Sequence, residues 1–134
     1  QAKIAIPHSK QSMIVFVLLL LFLCHLFACI WLLCGRMERG MGSSNWIDYN
    51  LFKAKGIEWT DAGSWYLVSL HWSTMTLTSI GYGDITPTTR AEFVISILCQ
   101  LVGAVAWAAC LSQLAGIFAN INPHETAWKQ DMDA

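Results

Sequence analysis

The sequence predicts an all-α membrane protein in which two spanning helices flank a shorter helix that enters the bilayer without crossing it. Of its 134 residues, 55% are hydrophobic and only 13% are charged, against roughly 25% charged residues in an ordinary soluble domain. The hydrophobic residues are concentrated in two uncharged runs, from Met13 to Leu33 and from Phe93 to Ile121. The eight basic and nine acidic side chains nearly balance, so the composition excludes the large basic surface of a nucleic-acid-binding domain.

The first run predicts an outer spanning helix over residues 13–34. At a rise of about 1.5 Å per residue, it covers roughly 31 Å, which matches the hydrocarbon thickness of a bilayer. A secretory signal peptide has a shorter apolar core followed by a cleavage site of small residues, and this run has neither feature. The chain starts at Gln1 without an initiator methionine, so we expect it to be a segment of a longer protein.

Cys24, His25 and Cys29 lie close together in this run, and residues four apart share a helix face. Two or three ligands on one helix do not close a tetrahedral metal site. We therefore interpret the cysteines as packing residues and expect His25 to bond to a neighbouring helix. The loop from Gly35 to Ser64 contains no cysteine, so the sequence shows no disulfide framework.

A polar, turn-rich stretch over residues 35–63 follows the first run. Its aromatic residues are typical of a structured loop at a membrane interface: they are Trp46, Tyr49, Phe52 and Trp59. Asp61 or Ser64 can cap the start of a helix. The apolar residues 64–77 are too few to cross a bilayer, and a short apolar segment between two spans predicts a re-entrant helix.

The segment from Thr78 to Asp84 is the most informative part of the chain. Gly81 and Gly83 flank Tyr82, and because glycine accepts positive φ, the backbone can alternate in φ and point successive carbonyl oxygens to one side. Irregular backbone at membrane depth is tolerated only where it is covered by protein or lines a water-filled path. Such a row of oxygens can replace the hydration shell of a cation, provided that several copies surround an axis. A phosphate-binding glycine loop would need a third glycine at the position of Thr86.

The same seven residues, TSIGYGD, resemble the selectivity filter of potassium channels, whose backbone carbonyls coordinate K⁺. Residues 25–31, HLFACIW, resemble the outer helix of channels with a cytoplasmic cyclic-nucleotide-binding-type domain, which include the ether-à-go-go and plant inward-rectifying groups. Residues 101–107, LVGAVAW, are similar to the inner helix of the ether-à-go-go group. The tail HETAWKQDMD resembles the linker that such channels place after the pore.

The resemblance implies a tetrameric pore domain over residues 13–121, with both of its ends in the cytoplasm. The distribution of Lys and Arg slightly favours the opposite orientation. The implied parts are an outer helix (13–34), an extracellular turret (35–63), a pore helix (64–77), a filter (78–84) and an inner helix (91–121). Residues 1–12 and 122–134 would be cytoplasmic linkers.

The resemblance also implies roles for individual residues of the filter. The backbone oxygens of Ser79, Ile80, Gly81 and Tyr82 would bind K⁺, and the hydroxyl of Ser79 would form the innermost site. Ser79 replaces the family's usual threonine, so it keeps the oxygen but lacks a methyl group that packs behind the filter. Trp72 matches a pore-helix aromatic that supports the filter, and its indole N–H needs a partner such as Tyr82 or Asp84. Asp84 and Glu92 could otherwise be plain surface acids.

The inner helix carries Gly103, Trp107 and Leu111 at positions i, i+4 and i+8, which lie on one face. We expect this face to line the inner cavity and gate, with four copies of Trp107 forming a ring. Gly103 is either a hinge or a place where two helices approach closely. Gln100, Gln113 and Asn120 either bond across helices or face the ions.

Taken together, these features predict a potassium-selective pore, part of a larger voltage-gated channel in the plasma membrane. The expected partners are three further identical or related subunits, the lipid bilayer, and voltage-sensor and cyclic-nucleotide-binding-type domains of the same longer chain. We expect no enzyme activity, no catalytic residue and no cofactor, with K⁺ as the permeant ligand. The alternatives are a weakly selective cation channel of the pacemaker or cyclic-nucleotide-gated kind, which shares the outer-helix motif, and a non-conducting regulatory subunit.

Overall fold

A computed structural model describes residues 8–121 and 123–133 of the chain. The described part contains four α-helices, α1 (His8–Gly40), α2 (Ala62–Leu77), α3 (Arg90–Ile121) and α4 (Pro123–Met132), and a π-helix (Ile47–Ala54) between α1 and α2. These ranges contain no β-strand. The predicted all-α fold with two long apolar helices is confirmed.

Helix α1 continues past the predicted end at residue 34 to Gly40, because charged residues that end an apolar run do not themselves break a helix. Gly42, with φ +72°, ends the helix in a glycine cap. Its N–H donates to the Arg39 carbonyl at 3.0 Å, and the Ser43 N–H donates to the Glu38 carbonyl at 3.0 Å, which is the hydrogen-bond pattern of a Schellman motif. The predicted turret therefore begins with helix.

Helices α1 and α3 are both long and apolar enough to cross a membrane, by length and composition. Most of their apolar side chains are exposed in the single chain: Leu18 and Phe22 on α1 and Val105 on α3 are 58–73% exposed. A soluble protein would bury such side chains in its core. Their exposure therefore agrees with a lipid or protein environment around both helices.

A stack of three tryptophans, one from α1, one from α2 and one at the N-cap of the π-helix, lies in the core. The Trp31 ring of α1 lies 3.8 Å from the Trp72 ring of α2, with an interplanar angle of 8°, and 5.7 Å from the Trp46 ring. The Trp46 indole N–H donates to the Trp31 carbonyl at 3.2 Å, and a Cβ at Gly35 would collide with this indole. Trp46 is fully buried, because the loop folds back against α1.

Helix α2 is attached to α1 by two polar contacts and to α3 by a close helix approach. The Ser73 hydroxyl donates to the Cys24 carbonyl at 2.8 Å, and His25 Nδ1 lies 2.7 Å from the Tyr66 hydroxyl, as predicted for a histidine bonded to a neighbouring helix. On the other side, a Cβ at Gly103 of α3 would lie 2.8 Å from Leu77 Cα. Only glycine allows α3 to approach the C-terminal end of α2 this closely.

Candidate functional site

The site begins where α2 ends, so the capping of α2 fixes its position. Asp61 is the N-cap residue, and its carboxylate accepts a hydrogen bond from the Ser64 N–H at 2.8 Å. Asp61 rather than Ser64 therefore caps the helix. The hydrogen bonds from the Ser64 backbone and hydroxyl lower the pKa of the exposed Asp61 carboxyl, since they stabilise its ionised form.

The backbone of the segment after α2 alternates in the sign of φ. Ser79, Gly81 and Gly83 have φ values of +62°, +59° and +74°, whereas Ile80 and Tyr82 between them do not have positive φ. Positive φ at the two glycines agrees with the prediction from the sequence. Ser79 extends the alternation by one step, although a side chain disfavours this conformation.

Hydrogen bonds to α2 set the direction of the peptide groups in this segment. The N–H groups of Ile80 and Gly81 both donate to the Met75 carbonyl, at 2.9 Å and 3.0 Å. In a planar trans peptide, the carbonyl of the preceding residue points opposite to the N–H, and no peptide bond in the described part is cis. The carbonyl oxygens of Ser79 and Ile80 therefore point away from α2, and are free to bind a ligand on the other side.

The outer end of the segment is held by side chains from α2 and from the end of the π-helix. Lys55 Nζ donates to Asp84 Oδ2 at 2.9 Å, and His71 Nε2 lies 3.3 Å from the same oxygen. The His71 ring also stacks on the Tyr82 ring, with 6.0 Å between centroids and an interplanar angle of 11°. Partial burial raises the pKa of Asp84, but the Lys55 hydrogen bond and the charges of Lys55 and His71 lower it below its usual value.

Trp72, predicted to support this segment, packs on Trp31 of α1 and also lines a groove beside the segment, together with Ser79, Gly81 and Gly83. Its ring is buried against Trp31, and within the described residues its indole forms no hydrogen bond with Tyr82 or Asp84. The residue in contact with both is its neighbour, His71. Consecutive residues on an α-helix point about 100° apart, so His71 contacts the outer end of the segment whereas Trp72 lies in the groove beside it. Sequence reasoning missed His71 because tryptophan was the more conspicuous aromatic.

The π-helix also binds the loop that follows Asp84. The Asn50 amide donates to the Thr86 carbonyl at 2.7 Å, and the Thr86 hydroxyl donates to Asn50 Oδ1 at 3.2 Å. Asn50 is buried, so this reciprocal pair is shielded from water. The loop is thereby fixed at two points, Asp84 and Thr86.

Glu92 is fully buried, so its interpretation as a plain surface acid is wrong. One carboxylate oxygen accepts from the Trp46 N–H at 2.8 Å, and the other accepts from the N–H and hydroxyl of Thr88 at 2.7 Å and 2.9 Å. The Glu92 N–H donates to the Thr89 hydroxyl at 3.2 Å, while the carboxylate accepts from the Thr89 N–H at 3.3 Å. This is a capping box, and the Thr-x-x-Glu spacing could have revealed it.

The three predicted cavity residues of α3 have different surroundings in the single chain. Gly103 is buried against Leu77 of α2, which favours close packing over a hinge. Trp107 is half-buried and Leu111 is 54% exposed. Residues four apart on an α-helix are rotated by about 40° relative to each other. Gly103 therefore faces α2, whereas Leu111, eight residues further along α3, points outward.

A groove of about 370 Å³ lies between α2, the Ser79–Gly83 segment and α3. Its polar lining side chains are Thr76, Ser79, Thr86, Ser96 and Gln100.

Cys24, His25 and Cys29 do not form a metal site, and in the part of the chain that the structure describes no cluster of three His, Cys, Asp or Glu could hold a metal ion. The free carbonyls after α2 are the polar groups best placed to bind a ligand.

Comparison with known proteins gives one family match over most of the chain. Residues 12–120 match the family described as ion channel. This range includes all of α2, the segment after it, and α3 up to its last residue but one.

The individual relatives described next are each less than 30% identical to the chain. The voltage-gated inwardly rectifying potassium channel KCNH2 of Sus scrofa is 27% identical over 106 residues, which cover 72% of this chain and 9% of the relative. The same channel of Oryctolagus cuniculus is 29% identical over 118 residues, 77% of this chain and 10% of the relative. The KCNH6 channel of Homo sapiens is 28% identical over 106 residues, which cover 72% of this chain and 11% of the relative. The chain thus spans about a tenth of the length of the curated relatives that it matches.

Proposed function

The chain belongs to the ion channel family, and from this premise we propose that it forms a potassium-selective pore through which K⁺ moves passively down its electrochemical gradient. Its relatives are named as voltage-gated inwardly rectifying potassium channels, which supports K⁺ as the permeant ion. The process involves no covalent step, so the residues need only coordinate, orient and shield the ion.

The alternating backbone from Ser79 to Gly83 is the observation that carries the proposal. Alternation of φ sign turns successive peptide groups in the same direction, and the Met75 carbonyl holds the N–H groups of Ile80 and Gly81 on the α2 side. The carbonyl oxygens then face the permeation path. A cation that enters exchanges its hydration shell for these oxygens, which is the principle of carbonyl selectivity.

We assign K⁺ coordination to the backbone oxygens of Ser79, Ile80, Gly81 and Tyr82, with the Ser79 hydroxyl at the innermost site. Thr78, Gly83 and Asp84 complete the filter segment as its connections to α2 and to the outer loop. The C-terminal end of α2 directs about half a negative charge toward the inner entrance, which favours a cation there.

One chain supplies only one row of oxygens, so the proposed pore consists of four subunits around a central axis. The side chains of Ile80 and Tyr82 are 56% and 70% exposed in the single chain, and neighbouring subunits would cover them. In this arrangement α1 and α3 span the plasma membrane, α2 is the re-entrant pore helix, and both chain ends are cytoplasmic. Voltage-sensor and cyclic-nucleotide-binding-type domains would belong to the same longer protein.

The outer supports of the filter are His71 and Lys55, which hold Asp84 from α2 and from the π-helix. On the inner side, Trp107 and Leu111 would border a water-filled cavity below the filter. Gly103 would contribute by its close contact with the end of α2, because that contact fixes the distance between the inner helix and the filter.

A flux assay on the full-length protein in liposomes tests the proposal. Vesicles loaded with KCl are diluted into NaCl, and a potential-sensitive dye reports the diffusion potential. A K⁺-selective pore makes the vesicle interior negative, and reversing the two salts reverses the sign. A weakly selective cation channel gives little potential in either direction, and a non-conducting subunit gives none although an added K⁺ ionophore still does; either result would overturn the proposal.

A further inference from the structure

The groove behind the filter contains a polar side chain that the proposed function does not use. Gln100 of α3 lines this groove together with Ser79, Thr76 and Ser96. The groove therefore joins the inner helix to the innermost residue of the proposed filter. The inference below rests on the proposed function, because it concerns how that filter is held.

The side-chain amide of Gln100 forms only part of its possible hydrogen bonds within its own helix. Its amide Nε2 donates to the Ser96 hydroxyl at 3.0 Å, and Ser96 itself is buried. A carboxamide has two N–H donors and one carbonyl acceptor, so one N–H and the carbonyl remain available. Gln100 is exposed in the single chain, and at membrane depth an unpaired amide is costly.

Ser79, on the opposite wall, needs support from its surroundings. It is the only non-glycine residue in the described part with positive φ, at +62°, and such a conformation persists only where the neighbouring structure holds it. Its N–H donates to the Thr76 carbonyl at a long 3.2 Å. Its side chain also lacks the methyl group that a threonine would place behind the filter.

We propose that Gln100 is a positioning residue for the filter: its carboxamide oxygen, oriented by the bond to Ser96, accepts a hydrogen bond across the groove from the Ser79 hydroxyl, whose oxygen lone pairs still face the ion. In the assembled pore this bond holds Ser79 in its left-handed conformation and fills the space behind it. The inner end of the filter then keeps the spacing that fits K⁺. Selectivity thus depends on a residue of the inner helix that does not touch the ion.

The test compares two glutamines of α3 in the full-length channel. Gln100→Met keeps the length of the side chain but removes its hydrogen bonds, and Gln113→Met, on an exposed part of the same helix away from the groove, is the matched control. Gln100→Met is expected to lower the K⁺/Na⁺ permeability ratio about tenfold or more, with tetramer yield unchanged. Gln113→Met is expected to leave the ratio at its wild-type value.

A double-mutant cycle with Ser96 separates positioning from a general loss of structure. Ser96→Ala removes the bond that orients Gln100, so it should lower the permeability ratio by less than Gln100→Met does. If both act through one contact, the double variant should be no worse than Gln100→Met alone. Additive losses, or an unchanged ratio in Gln100→Met, would overturn the inference while leaving the proposed function intact. A wild-type channel that does not select K⁺ would instead refute the proposed function.

Discussion

His71 Nε2 lies 3.3 Å from Asp84 Oδ2, and the His71 ring stacks on Tyr82. A single side chain of α2 therefore contacts both residues at the outer end of the proposed filter. Lys55 binds the same carboxylate at 2.9 Å, so Asp84 is held from two sides. Because the pKa of Asp84 is lowered, this carboxylate contributes to stability at neutral pH and loses that contribution only as pH falls through the lowered pKa.

The contact between His71 and Asp84 predicts an effect on the rate at which the K⁺ current decays. His71→Leu removes the bond to Asp84 and the stacking on Tyr82, so K⁺ current should decay several-fold faster during sustained opening. Trp72→Phe is the comparison variant, because the neighbouring Trp72 ring packs on Trp31 and its indole N–H donates to neither Tyr82 nor Asp84 in the single chain. Equal decay rates in wild type and His71→Leu would contradict the supporting role of His71. Faster decay in Trp72→Phe alone would assign that role to Trp72.

The buried Glu92 predicts a large effect on stability. Glu92→Ala leaves the N–H groups of Trp46 and Thr88 without their acceptor, and each buried donor left unpaired costs about 1–3 kcal/mol. The melting temperature of the detergent-solubilised protein should therefore fall clearly. Glu58→Ala, a change of the same kind at an exposed position, should leave it within error. Equal melting temperatures for the two variants would show that the Glu92 network does not stabilise the assembly.

Two glycines of α3 predict opposite responses to the same substitution. A Cβ at Gly103 would lie 2.8 Å from Leu77 Cα and 3.0 Å from its carbonyl oxygen, so Gly103→Ala must push α3 away from α2, at a cost of about 1–3 kcal/mol. No atom lies within 4 Å of a Cβ at Gly116, where alanine gains about 1 kcal/mol of helix propensity. Tetramer yield and thermal stability should fall for Gly103→Ala and hold or rise for Gly116→Ala. A tolerated Gly103→Ala would refute the close helix contact.

The half-buried Trp107 predicts the binding of blockers from the cytoplasmic side. If four Trp107 rings border the cavity, they offer hydrophobic amines an apolar surface and a cation–π attraction of about 0.5–2 kcal/mol. Trp107→Ala should leave K⁺ selectivity intact and weaken block about tenfold, equivalent to roughly 1.4 kcal/mol. Dose–response curves on excised inside-out patches measure this. Unchanged block would place the ring against a neighbouring helix or lipid.

The sequence predicted the helices and the backbone of the filter segment well because those features depend on local chemistry. Long apolar runs require spanning helices, and Gly81 and Gly83 both have the positive φ that was expected. The N-cap at Asp61 follows equally from local side-chain chemistry. Within the described chain, α1 differs most from its predicted bounds, because it begins at His8 rather than at residue 13 and ends at Gly40 rather than at residue 34.

The contacts between distant elements could not be predicted in the same way. The loop pattern did not predict that the Trp46 indole packs on α1, in the space that Gly35 leaves. The contacts of His71 and Trp72 depend on how α2 is rotated, and apolar and polar side chains alternate around α2 without a distinct apolar face, so its pattern does not fix that rotation. Glu92 is buried where the loop after α1 folds back and the Trp46 N–H donates to its carboxylate.

The reversal potential of the full-length channel, measured with K⁺ and Na⁺ exchanged across the membrane, tests the proposed filter most directly. In the wild type, each tenfold increase in external K⁺ should shift it by about 59 mV, the equivalent of a tenfold ratio for one charge, and external Na⁺ should have little effect. Gly81→Ala, which places a Cβ on a residue with φ +59°, should abolish conduction or this preference while tetramers still form. A wild-type reversal potential that follows Na⁺ as closely as K⁺, or an unchanged K⁺ preference in Gly81→Ala, would contradict the assignment of Ser79 to Tyr82 as the K⁺-selective filter.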